Sequence, residues 1–145
     1  MALQKIYPIS DRTVNWSIIV AATMFDALDD GDITTPDDAN YVTSSTDAQT
    51  CECDLGPPPA NTAQVTAVAL KLRCGITDAS DNAVILMDLF ESDGTTSIGS
   101  QQTINTTDIG NNDGTLATVT KNITTLTLSK AEATGMRLKL TLSVP

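Results

Sequence analysis

The chain has 145 residues and a formal net charge of −10, with 8 Lys and Arg set against 18 Asp and Glu and with no histidine. That length fits one domain able to bury roughly two-thirds of the surface its unfolded form exposes, so neither a disulfide nor a metal staple is required. Cations this few, and scattered singly, argue against contact with a phosphate backbone and hence against a nucleic-acid partner; the missing imidazole removes the usual base of a nucleophilic triad.

Aromatic residues make up only 3% while hydrophobic residues reach 41%, so an aliphatic core is expected, with Trp16, Phe25 and Phe90 as bulky anchors. No apolar run is long enough for a membrane-spanning helix, and no membrane partner is expected. Met1 to Pro8 lacks the continuous apolar stretch of a secretory leader, which leads to the expectation of synthesis in a cytoplasm. Three cysteines, an odd number, suit a reducing compartment.

Residues 1–12 read as an N-terminal arm ahead of a single domain over 13–145. Val14, Trp16, Ile18 and Val20 alternate with their neighbours and predict a first strand with Trp16 facing inward. Met24, Ala27 and Leu28 then fall at helical spacing, with Thr23 placed to cap one or two turns. The following loop holds Asp29, Asp30, Asp32, Asp37 and Asp38 around Gly31 and Pro36. Calcium takes six to eight oxygens from such groups, but the spacing and the glutamate of an EF-hand loop are missing, and a solvated turn is the alternative. No cofactor is expected.

Short strands are predicted over Asn40 to Ser44 and Ala48 to Leu55, the second stopped by Gly56-Pro57-Pro58-Pro59. Thr66, Val68, Leu70 and Leu72 share one face of a longer strand. Ala83 to Glu91 is apolar almost throughout, as in a strand covered on both sides or one shielded by a partner, with Asp88 inside it. Turn signals at Ser92-Asp93-Gly94-Thr95 and Asn111-Asn112-Asp113-Gly114 bracket a weaker strand over Ile98 to Ile104. Thr115 to Thr120 and Ile123 to Leu128 give one or two more. Ser129 with Glu132 three residues on predicts a capped helical turn, and Met136 to Val144 alternates without a break.

About eight strands with no strand-and-helix repeat indicate an all-β chain built as an antiparallel two-sheet sandwich, with one or two short helical turns. Jelly-roll connectivity is preferred and an immunoglobulin-like sandwich is the alternative. Cys51 and Cys53 share a strand face that Cys74 could approach; zinc would still want a fourth ligand, and free cysteines are the expectation. A glycosidase would need two facing carboxylates, for which Asp88 is the acid in the most apolar setting. Trp16 and Tyr41 are candidate glycan contacts, with a core position as the other reading of Trp16.

Tyr7-Pro8-Ile9-Ser10-Asp11 with Asn15-Trp16, then Met24 to Asp30, then Asp37-Asp38-Ala39-Asn40-Tyr41-Val42, is similar to an N-terminal pattern in small sandwich proteins of tailed bacteriophages. Leu128 to Glu132 leading into Met136 to Leu140 resembles the closing turn and strand of the same family. The segment Cys51-Glu52-Cys53 and the prolines after it depart from that pattern. The resemblance implies a non-enzymatic virion structural protein: a capsid decoration (cement) protein on the major capsid protein or other virion subunits, or a tail-associated module. It supplies no catalytic residue. On this reading the protein is made in the host cytoplasm, resides in the virion and forms a homo-oligomer, and Leu3, Ile6, Tyr7 and Ile9 dock the arm on its partner. The alternative is a tail-associated carbohydrate-binding module used in host or glycan adsorption.

Overall fold

The structure, a computed structural model, describes residues 5–28, 38, 39, 41–77 and 82–144. In chain order these residues form β1 (Pro8–Val14), β2 (Ser17–Ile19), α1 (Met24–Leu28), β3 (Tyr41–Thr43), β4 (Thr50–Leu55), β5 (Gln64–Val65), β6 (Val68–Cys74), β7 (Val84–Phe90), β8 (Gln102–Ile104), α2 (Thr106–Ile109), β9 (Ala117–Ile123), β10 (Leu128–Ser129) and β11 (Arg137–Ser143). The chain is all-β; among the described residues every ladder is antiparallel and two short helices occur.

Five strands form the main sheet in the order β1-β4-β11-β7-β8. Their alternating sequences sort side chains onto two faces, because successive residues of a strand point opposite ways. One face is dry: Cys51, Leu140 and Met87 lie in one cross-strand row, and Cys53, Leu138 and Leu89 in the next. Of these six only Leu138 is more than 2% exposed. The same face continues through Leu142, Ile85 and Ile104. β7 is covered on both sides, but unequally. Ile85, Met87 and Leu89 are buried, whereas Val84, Leu86, Asp88 and Phe90 are half-buried on the opposite face.

Against the dry face pack Leu70 and Cys74 of β6 and Val119 and Ile123 of β9, in the same apolar cluster. Hydrogen bonding does not join this layer into one sheet among the described residues. It leaves three pairs, β6-β9, β2-β3 and β5-β10. The described residues thus hold eleven strands where about eight were expected, partly because β5 and β10 are only two residues long.

The first strand also differs from its prediction. β1 starts six residues earlier than Val14 and pairs with β4; the chain then leaves the main sheet at Asn15 and Trp16, and β2 pairs with β3 instead. The alternation of Val14, Trp16, Ile18 and Val20 therefore spans two ladders. Val20 closes it in a left-handed conformation (φ 71°) and is 78% exposed. β1 carries register shifts between Pro8 and Ser10 and between Asp11 and Thr13.

At the start of α1 the Thr23 carbonyl accepts the Ala27 N–H at 3.3 Å, a main-chain bond that does not depend on the threonine hydroxyl. At Ser129 the predicted box is closed: the Ser129 N–H donates to Glu132 Oε2 at 2.7 Å, and the Glu132 N–H to Ser129 Oγ at 3.3 Å. Helix α2, absent from the sequence reading, uses the same device with Asn105 and Asp108 and ends on Gly110 in a left-handed conformation.

Candidate functional site

A cavity of about 1390 Å³ lies between the dry face of the main sheet and the layer that covers it. Leu138, Leu140 and Leu142 of β11 and Val68, Leu70 and Leu72 of β6 are on its lining, as are Trp16, Leu28 and Val42. The cause is topological. β3 and β6 both contribute to the lining, yet β3 pairs with β2 and β6 with β9, and no ladder joins the two pairs among the described residues. The lining mixes apolar with polar side chains, and several of its apolar members, Leu140 at 2% exposure and Leu70 and Leu142 at 8%, present little surface to the space.

The polar part of the lining holds hydroxyl and amide side chains, among them Ser44, Gln64, Thr66 and Asn122, together with four charged residues. Arg73 holds Asp38 through two parallel bonds, Nε to Oδ1 at 2.5 Å and Nη2 to Oδ2 at 2.6 Å. That guanidinium keeps the Asp38 carboxyl below the usual carboxylate range. Lys5 and Lys71 are the other cations on the lining, and Asp38 is its one carboxylate among the described residues. Asp38 is thus engaged by an arginine. The remaining calcium candidates, Asp29, Asp30, Asp32 and Asp37, lie outside the described residues, and no cluster of metal-binding side chains occurs among those described.

The opposite face of the main sheet is charged and alternates in sign. Glu52, Lys139 and Asp88 form one cross-strand row, and Asp54 and Arg137 begin the next. Asp54 accepts from Ser10 Oγ at 2.6 Å and from Arg12 Nε at 2.8 Å, and Arg137 Nε stands 3.8 Å from its Oδ1. Burial opposes the charge on Asp54, but Arg12, Ser10 and Arg137 outweigh it and lower its pKa. Asp88 is half-buried, takes a bond from Gln101 Nε2 at 2.8 Å and has Lys139 as its cross-strand neighbour. A lysine therefore stands between Asp88 and Glu52, the nearest acid in its row, where a glycosidase would need an open cleft.

The cysteines are free and buried. Burial pushes Cys51 and Cys53 up to about 12, helped for Cys51 by the neighbouring Cys53 and the Asp11 carboxylate and for Cys53 by Asp11; burial pushes Cys74 up to about 11. Such thiols are protonated and inert near neutrality.

Trp16 is 8% exposed and its Nε1 donates to the Gln49 carbonyl at 3.0 Å, so the ring belongs to the core and offers no open stacking face. Tyr41 is 44% exposed. Of the expected arm contacts, Leu3 lies outside the described residues. Ile6 is half-buried against the core, and the Tyr7 carbonyl accepts the Gly56 N–H at 2.9 Å. Ile9 is 54% exposed on β1, and residues 8–12 of the expected arm are part of that strand. The cavity itself escaped the sequence reading, because it depends on which strands fail to pair.

Comparison with protein-family models, with curated proteins and with solved structures found no match.

Proposed function

We propose that the protein is a non-enzymatic structural component of a tailed-bacteriophage virion, a capsid decoration protein that attaches by surface complementarity. The observation that carries this reading is Ile9: a large apolar side chain, 54% exposed, on an outermost strand of the main sheet and two residues after Tyr7. Exposed aliphatics on a rigid margin suit a contact repeated across a lattice, where modest affinities multiply. The residues behind the phage resemblance also hold the scaffold together. Asp11 Oδ2 accepts the Met24 N–H, and Trp16 Nε1 donates to the Gln49 carbonyl.

Gold-labelled antibody on gradient-purified virus particles tests the reading. Label over the shell is the expected result; label at the tail moves the position, and particles without label overturn the proposal. Tyr41 favours one other reading, contact with glycans, because its ring is exposed beside half-buried Val42. Glycan-array binding lost in Tyr41→Ala is the outcome that would select it.

A further inference from the structure

The wet face of the main sheet carries a charge pattern complementary to itself, and we infer that two copies of the chain associate through it, face to face about a two-fold axis between β11 and β7. Glu52, Lys139 and Asp88 give the row across β4, β11 and β7 the signs minus, plus, minus. The row on one side of it holds Asp54, Arg137 and Phe90, and the row on the other holds Thr50, Thr141 and Leu86. A half-turn about that axis sets β11 of each copy over β7 of the other, so Lys139 meets Asp88 twice, as an isologous contact demands. Arg137 then faces Phe90, a cation over a ring, and Thr141 faces Leu86. No like charges oppose one another along these two strands.

Lys139 is the group that such a pairing accounts for. It is half-buried between two acids of its own row, yet it makes no hydrogen bond or ion pair among the described residues. Asp88 accepts from the neutral amide of Gln101 and likewise has no ion pair among the described residues. A second copy gives each the counter-charge that it lacks within the chain. Val84, Leu86 and Phe90 put three apolar side chains on this wet face, each half-buried, so they keep surface that contact can cover. Copies that each carry −10 repel at long range, which favours contact only where the signs interdigitate. Strands spaced about 4.8 Å apart and rising about 3.3 Å per residue give a five-stranded face a flat footprint of roughly 500 Å². That is less than the ~800 Å² per partner of a standard interface, so the dimer is a weak one that forms at high concentration.

Sedimentation equilibrium of the full chain, from about 10 μM to about 1 mM, should show a monomer passing into a dimer and no larger species, because a two-fold face closes on itself. Lys139→Asp sets acid against acid across the axis, and Asp88→Lys sets lysine against lysine. Each variant alone should dimerise at least tenfold more weakly than the parent chain. Mixed in equal amounts they should recover the dimer, since each then offers the charge that the other needs. Thr141→Arg, which adds bulk at the centre of the face away from the charged row, should also dissociate the dimer. Thermal unfolding of each variant verifies that the chain is folded, and recovery in the mixture needs folded chains of both kinds. The inference is overturned by a monomer at every concentration of the parent chain, by a dimer that survives both charge reversals, by a mixture of the two folded variants that stays monomeric, or by growth beyond the dimer.

Discussion

Asp11 and Met24 are joined across two elements: the Met24 N–H, first in helix α1, donates to Asp11 Oδ2 at 3.0 Å, fastening the helix to the edge strand β1. Met24 is 0% exposed, so the bond fixes where a core side chain enters. Asp11→Ala leaves that N–H without its acceptor and should cost about 1 kcal/mol in urea unfolding. Asp11→Asn keeps an oxygen in place and should cost less than half as much. Equal losses from the two variants would show that charge, and not the cap, is what matters there.

The carboxylates on the charged face set an acid limit. Asp54 has a folded pKa below its unfolded value, so its contribution is complete above the ordinary carboxylate pKa of about 4 and is lost as pH falls through the folded value. Asp38, Asp108, Asp113 and Glu132 are shifted the same way. The Tm should stay level from pH 7 to pH 5 and drop below about pH 4. Asp54→Asn should lower stability at pH 7 by about 1 kcal/mol and flatten the acid slope, because the group that titrates is gone. Thermal scans of both proteins from pH 7 to pH 2.5 measure this.

Thiol titration gives an independent check on packing. Cys51 and Cys53 are each 1% exposed and Cys74 is 8% exposed. Ellman's reagent at pH 8 should find almost no reactive thiol in the folded protein and all three once guanidinium unfolds it. A fast native reaction at one site would mean that its strand opens locally.

Gly75 and Gly114 meet backbone to backbone. A Cβ on Gly75 would stand 2.5 Å from the Gly114 carbonyl oxygen, a main-chain atom with no rotamer through which to retreat. The same junction holds the Gly114 N–H on the Ile76 carbonyl at 3.2 Å. Gly75→Ala should therefore destabilise by about 2 kcal/mol, read as a lower urea midpoint with an unchanged slope. Gly110→Ala makes a useful contrast: its Cβ meets nothing within 4 Å, so the penalty there is only that of its left-handed conformation.

What the sequence disclosed followed from how local each signal is. β4 and β11 alternate strictly, and their buried faces could be read directly from residues such as Cys51 and Leu140, whereas β7 is apolar at nearly every position and its drier face, with Met87, could not. β1 could not, since Pro-Ile-Ser-Asp-Arg-Thr-Val carries no apolar alternation; its place comes from the β4 ladder and from polar bonds such as Ser10 to Asp54. Helix α2 is four residues long, too short for a helical period, and only Asn105 with Asp108 marked it. The site was least accessible of all. Leu72 and Val42 look like ordinary strand residues, and their part in a cavity depends on a ladder missing between β3 and β6.

The two register shifts in β1 have a bearing on crowding. An outermost strand whose spacing is broken twice within seven residues offers an uneven ladder to a second copy of itself, which disfavours extension of the main sheet on that side. Strand-by-strand growth into ribbons is therefore expected to be poor even in a concentrated solution.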